Sequence, residues 1–339
     1  MTYNPPIMRK FIFILIIFLS AAFLYLSFGE LESILETLQH GNLWFLLLAT
    51  IIQFGWFIVL GSTYLALYRV LGLDGAVYKF SLMAVAANFV NIIAPSAGMS
   101  GTAVFISEAY RDEQSPGKAT VASMLNLFLD YVAFLVVLTL GLIVLWRRND
   151  LNPTEIAASA VIFAYAAGLG FLLYLGSRSG TALGNVLAKL ARFINRIARP
   201  FIHRDYLSEE RAHEFAEEMS EDLKSLPQKT TSLIKPLLYA FANKTLMMSI
   251  LMVCFLAFNV PFTAGTIIGG FSIAYLFLIV SPTPSGIGIV EGIMPLALTS
   301  LRVPWSQAIV ITLAYRGITF WIPLGVGAIA FRTLNNKED

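Results

Sequence analysis

The chain has 339 residues, 57% of them hydrophobic and only 13% charged, with a formal net charge of +2 and a mean hydropathy of +0.74. Soluble domains carry about 25% charged residues, so this balance excludes an ordinary soluble protein and defines an integral membrane protein. It gives no basis for nucleic-acid binding. The single cysteine, Cys254, lies in an apolar run, which excludes a disulfide framework and any cysteine-based metal site.

Arg9 and Lys10 precede an apolar run, Phe11–Phe28. A secretory signal has a shorter apolar region, about 7–15 residues, followed by a small-residue cleavage site. Here Ser20, Ala21 and Ala22 fall in mid-run, so the segment reads as a retained first spanning helix. Further runs of spanning length cover Leu43–Tyr68, Ala119–Trp146, Ile156–Leu175, Pro236–Phe258 and Ala308–Phe331. Each approaches the roughly 20 residues that a membrane helix needs. Two more apolar regions, Lys79–Tyr110 and Phe262–Leu301, are interrupted by proline and glycine. The breaks fall at Pro95–Gly98 and, more densely, at Ser281–Gly292.

Charge distribution sets the expected topology. Arg178, Lys189, Arg192, Arg196, Arg199 and Arg204 follow one another without an acid in the longest polar stretch, Arg178–Lys235. The positive-inside bias assigns this stretch to the cytoplasm, with Arg9, Lys10, Arg332 and Lys337. That assignment works only if both interrupted regions are re-entrant hairpins entering from opposite faces. The cost is to leave Arg147 and Arg148 outside. The predicted architecture is an all-α polytopic membrane protein with about six spanning helices and two broken hairpins. Residues 1–150 and 151–339 then form two inverted repeats, each with a hairpin, 79–110 and 262–301. Both termini are expected in the cytoplasm. Paired broken helices in matching halves point to a transport site near the bilayer midplane.

Within the cytoplasmic insert 178–235, Leu183, Val186, Leu187, Leu190, Phe193, Ile194 and Ile197 form one helical stripe, with Lys189, Arg192, Arg196 and Arg199 off it. This pattern suits an interfacial helix drawn to anionic lipid, and equally a surface helix packed on the bundle. Ser208, followed by Glu209 and Glu210, is expected to cap a second helix. The widely spaced His40, His203 and His213 read as solvated or interfacial groups.

Ionisable groups at membrane depth are costly and are functional candidates by default. Glu291 stands at the second break, Arg316 inside the last span beside Tyr315, and Asp130 beside Tyr131 in the middle of the 119–146 span. Asp130 and Arg316 lie at comparable distances after Pro95 and Pro284 and carry opposite charges, so a repeat would bring them near each other. The alternative is that the three charges only neutralise one another. Lys244, with Asn243, lies a turn or two inside the 236–258 span, where a lysine can snorkel to the cytoplasmic face; contact with a headgroup is the alternative. Helices restarting after Gly98 and Gly286 expose backbone N–H groups to an anionic partner such as a lipid phosphate. Asn88, Asn91, Ser96, Ser100, Thr102, Ser281, Thr283 and Ser285 can line a wet cavity there or satisfy the freed backbone. No Walker A loop, His/Glu metal motif or Gly-x-Ser-x-Gly elbow is present. Neither enzymatic activity nor a cofactor or metal is expected, and transport would be passive or ion-coupled.

The run Pro284-Ser285-Gly286-Ile287-Gly288-Ile289-Val290-Glu291, with Ala314-Tyr315-Arg316 further on, resembles the Pro-x-Gly-x-Gly-x-x-Glu and Arg pattern of the lysylphosphatidylglycerol synthase transmembrane (flippase-like) family. Pro95, Gly98 and Asp130 resemble its looser first-half motif. The resemblance implies a polytopic inner-membrane protein with two re-entrant hairpins, moving an anionic phospholipid or lipid-linked headgroup between leaflets. It also implies a substrate site drawn from Pro95, Gly98, Asp130, Pro284, Ser285, Gly286, Gly288, Glu291, Tyr315 and Arg316. The chain ends at Asp339 without the aminoacyl-transferase domain of bifunctional members, so lipid synthesis is not carried over and a partner enzyme would supply any modified lipid. Homo-oligomerisation is compatible with the reading. The family pattern has an Arg one turn before the Asp, where this chain has Asn126 and Leu127. An ion-coupled solute carrier, a polyprenyl-phosphate carrier or a non-transporting scaffold are the alternatives.

Overall fold

A computed structural model describes residues 32–94, 99–202, 208–226 and 230–335. The predicted span Phe11–Phe28 lies outside the described residues, as do Pro95, Ser96, Gly98, His203 and Arg204. Regular structure among the described residues is helical. Helix α1 covers 32–39, followed by α2 (Leu43–Val70), α3 (Val77–Ile93), α4 (Thr102–Arg111), α5 (Pro116–Arg147) and α6 (Pro153–Arg178). Then come α7 (Gly180–Ile202), α8 (Glu209–Lys224), α9 (Ile234–Ala257), α10 (Ala264–Val280), α11 (Ile289–Ser300), α12 (Trp305–Arg316) and α13 (Ile322–Asn335).

Five segments are long and apolar enough to cross a bilayer: α2, α5, α6, α9 with its preceding turn, and the continuous run Trp305–Leu334 formed by α12 and α13. They coincide with the five predicted spans among the described residues. Their ends are set by local chemistry. Asn42 accepts the Trp44 N–H at 3.0 Å to start α2. Ser115 accepts the Lys118 N–H at 3.3 Å, and Pro116 occupies the first turn of α5, where its missing donor costs nothing.

Both interrupted regions fold back on themselves. In the first, Lys79 near the start of α3 reaches Asp112 just past the end of α4 at 2.5 Å and Glu108 at 3.5 Å. In the second, a Cβ on Gly269 near the start of α10 would meet Leu301 just past the end of α11 at 3.0 Å. Each pair is therefore an antiparallel hairpin whose two ends lie together. Helix α5 shows that they enter from opposite ends. It starts four residues after Asp112, at the base of the first hairpin, and its Val144 touches the Gly265 and Gly269 positions at the base of the second.

Helices α2 and α9 run antiparallel through the centre. The Asn42 N–H donates to the Ala257 carbonyl at 2.8 Å at one end, and midway the Trp56 indole donates to the Asn243 side chain. The last span is not one regular helix. A π turn, Gly317–Trp321, separates α12 from α13 directly after Arg316, and a Cβ on Gly317 would meet Ile34 of α1 at 2.7 Å. π turns of this kind often mark functional positions. Arg148, placed on the costly side by charge counting, donates to the Leu301 carbonyl at 2.9 Å and caps the second hairpin.

The insert forms the two predicted helices, and Ser208 accepts the Arg211 N–H at 3.3 Å as the cap of α8. Helix α8 buries Ala216, Met219 and Leu223 in the same core as α5 and α6. The stripe predicted on α7 divides. Leu183 is buried and Val186 and Leu187 are half-buried, whereas Leu190, Phe193 and Ile194 stay exposed beside Lys189, Arg192 and Arg196.

Candidate functional site

The second hairpin turns through Ser281–Gly288 with only one 3-10 turn, Pro284–Gly286, and side chains replace the other lost bonds. The Thr283 N–H donates to Ser281 Oγ at 3.1 Å, and Thr283 Oγ1 donates to the Ile287 carbonyl at 2.9 Å. Ser285, Gly286 and Gly288 all adopt positive φ, at 46°, 71° and 76°. Glycine at the last two removes the Cβ conflict of the left-handed region. Helix α11 then begins at Gly288, whose N–H donates to Glu291 Oε2 at 2.7 Å, the reciprocal half of a capping box. The helix start is thus already held by a carboxylate, which narrows the expectation that it would offer a free N–H to a ligand.

The other oxygen of Glu291 accepts from Arg316 Nε. Arg316 is 2% exposed, its guanidinium carbon lies 4.5 Å from the centre of the Phe320 ring, and its Nη2 is buried with no hydrogen-bond partner among the described residues. Phe320 belongs to the π turn, which thus covers the guanidinium on one side. Around the same tip, Ile287 packs with Ile92 at the end of α3 and with Phe320. The second break therefore meets the first hairpin close to where its own break begins.

A second ion pair differs from the expectation. Asp130 was expected near Arg316. Instead it receives Lys244 of α9, with Nζ 2.7 Å from Oδ1 and 2.8 Å from Oδ2. Lys244 does not snorkel: it is 1% exposed and its ammonium is enclosed by the Tyr275 ring at 4.2 Å. Lys244 also donates to the Tyr275 hydroxyl at 2.7 Å, and that hydroxyl donates to Asp130 Oδ2 at 3.4 Å. The reason is packing. Helix α9 lies between α2 and α5, so its mid-helix lysine is directed at α5 and has no route to an interface.

The remaining candidates divide between packing and break closure. Tyr315 is buried in the apolar core with Cys254 and Ile318. Tyr131 is buried, its ring 5.0 Å from that of Tyr165. Asn91 closes the first break, its Oδ1 accepting from the Gly101 N–H at 2.6 Å and from Ser100 Oγ at 2.9 Å. Pro284, Ser285, Gly286 and Gly288 form the second tip, and Pro95 and Gly98 lie outside the described residues. Glu108 and Arg111 pair at 2.8 Å at the base of the first hairpin, where Arg111 also caps the Leu334 carbonyl at 3.0 Å. A surface depression of 620 Å³ lies there too, lined by Tyr110, Arg111, Glu113, Gln114 and Pro116. It is about 20 Å along α5 from Asp130 at 1.5 Å per residue, so it does not mark the buried charges. Sequence reasoning singled out Lys244 but missed its pairing with Asp130. Its signal was present, because an acid and a base each stood alone in an apolar span.

These features define a class: a polytopic all-α membrane protein with two broken hairpins entering from opposite ends and two ion pairs buried in its spans. The profile of the lysylphosphatidylglycerol synthase TM region family matches residues 11–327, and the chain belongs to that family. The match includes the predicted first span and both hairpins. No curated protein matches the chain significantly.

Proposed function

We propose that the protein moves an anionic phospholipid, or another lipid-linked anionic headgroup, between leaflets, with the phosphate taken by Arg316 beside the second hairpin tip. The observation that carries this reading is the unpartnered Nη2 of a buried Arg316. Guanidinium presents donors in a planar fork suited to bidentate phosphate binding. Glu291 occupies only Nε, and a buried donor left unpaired costs about 1–3 kcal/mol. A phosphate oxygen would recover that cost. Gly288 supports the same placement, since nothing lies within 4 Å of where its Cβ would stand and a headgroup has room to approach the backbone. Glu291 neutralises Arg316 when no anion is bound.

In this reading the two hairpins belong to inverted repeats, 1–150 and 151–339, whose exchange of conformation alternates access to the leaflets. The basic insert and both termini face the cytoplasm of the inner membrane. The protein works as a carrier, without enzymatic chemistry or a cofactor, and a partner enzyme supplies any modified lipid. The test is leaflet exchange of labelled phosphatidylglycerol in proteoliposomes, with Arg316→Ala and Glu291→Gln as controls. Wild-type exchange that both variants lower at least tenfold supports the reading. Equal exchange by the variants removes the site assignment, and no exchange for any anionic lipid removes the function.

A further inference from the structure

We propose that Asp130 is the proton-binding site that couples transport to pH, and that its protonation transfers Lys244 from Asp130 to the anionic headgroup; this rests on the lipid-transport reading. The argument begins with the asymmetry of burial in the second ion pair. The Lys244 side chain is 2% exposed, whereas the Asp130 side chain is 27% exposed. A proton can reach the acid without the base becoming exposed. Once Asp130 Oδ gains a proton, the carboxylate charge is lost and Lys244 stands as a cation without a counter-ion. Removing one partner of a buried pair leaves an uncompensated buried charge, so the cluster then demands another anion. The substrate of the proposed function is an anion.

The first ion pair is unsuited to this role. Arg316 does not lose its proton in proteins, and the Glu291 side chain is 13% exposed, about half as open as that of Asp130. The groups that face Asp130 are Lys244 from α9, Tyr275 from α10, Tyr64 from α2 beside Asn126, and Tyr131 from its own helix, which packs on Tyr165 of α6. The tyrosines are neutral, so the charge balance turns on Asp130 and Lys244. The position of Tyr275 connects that balance to movement. It lies on the arm of the second hairpin that leads to the tip, and its hydroxyl bonds both members of the pair. Loss of the Asp130 charge therefore loosens α10 from α5 while the Tyr275 ring continues to hold the ammonium at 4.2 Å. In the chemical balance, one proton enters on Asp130, the Asp130–Lys244 pair breaks, and the freed ammonium joins Arg316 in holding the phosphate. Release of lipid and proton on the other side restores the first pair.

The test uses proteoliposomes carrying labelled phosphatidylglycerol, with the membrane potential clamped and a pH step imposed. One proton per lipid shifts the steady-state leaflet ratio by up to about tenfold for each pH unit. Wild type is expected to redistribute lipid in this way, while Asp130→Asn exchanges lipid with no response to the gradient. Wild-type exchange that ignores the gradient overturns the inference and leaves lipid transport standing. Absence of wild-type exchange removes the transport reading itself. Proton uptake is read separately, as a pH-dependent carboxylic-acid C=O band in infrared difference spectra. That band is expected in wild type and absent in Asp130→Asn; a band that survives the substitution overturns the assignment to Asp130. Should Asp130→Asn fail to fold, the charge-neutral double variant Asp130→Asn/Lys244→Gln carries the infrared measurement, in which loss of the band supports the assignment and its survival overturns it.

Discussion

At the tip of the second hairpin, three glycines separate backbone demand from side-chain space. Gly288 has φ 76° and open space where a Cβ would lie, so Gly288→Ala meets only the left-handed penalty of about 1–2 kcal/mol. Gly286 has φ 71° as well, but its Cβ would stand 2.6 Å from Val290 Cγ2 and 3.2 Å from the Leu278 backbone. Overpacking adds about 1–3 kcal/mol there. Gly292 lies inside α11 with nothing within 4 Å, and alanine is favoured over glycine in a helix by about 0.8–1 kcal/mol. The expected order of thermal midpoints in detergent is Gly292→Ala at or above wild type, then Gly288→Ala, then Gly286→Ala. Gly288→Ala should also slow lipid exchange more than its stability loss explains, because its methyl group enters the space left for the headgroup. A Gly286→Ala protein as stable as wild type contradicts the described turn. At this scale Glu291 and Arg316 were legible, since each is a lone charge beside a break or inside a span. The Asp130–Lys244 pairing was not, because sequence gives charges but not which helix faces which.

Among the elements, periodicity located the spans and composition located the breaks, and helix starts moved by about a turn where the caps Ser115 and Asn152 act. Two features escaped. The π turn after Arg316 was announced by Pro323, which has no N–H to donate and crowds the carbonyl four residues earlier, at Thr319 inside the turn, but the apolar run hid it. The stripe on α7 looked continuous, yet α8 covers only one edge of it. The uncovered edge carries Leu190, Phe193 and Ile194 next to Lys189, Arg192 and Arg196, and α7 starts two residues after the spanning α6 ends. A helix so placed rests its apolar edge in the headgroup region, and each basic residue near an anionic surface contributes about 1 kcal/mol. An environment-sensitive dye on Phe193→Cys, in a Cys254→Ser background, should shift to the blue in nanodiscs containing anionic lipid. Charge reversal at Lys189 and Arg196 should diminish the shift, and Arg192 is spared because it pairs with Glu209 at 3.3 Å. Water-like emission in every lipid would place this edge in solvent.

For the molecule as a whole, the opposed entry of the hairpins was legible from charge asymmetry alone, and Arg148 explains the one pair that argued against it. The closure of the two tips on each other was not legible, because it depends on how α3, the second break and the π turn pack. Ile92, Ile287 and Phe320 form that contact, a small apolar plug between hairpins that reach in from opposite ends. A carrier that alternates its access has to open this plug at some stage, since a polar headgroup cannot pass through a closed apolar contact without losing its hydration. Ile92→Cys and Ile287→Cys, joined by a short reducible cross-linker in the Cys254→Ser background, should therefore arrest lipid exchange at least tenfold. Reduction should restore it. Such a link spans neither ion pair, so proton uptake at Asp130 should survive it, separating movement of the hairpins from the charge change that drives it. Undiminished exchange with the tips fully cross-linked would mean that lipid passes elsewhere, along the outside of the bundle rather than between its two hairpins.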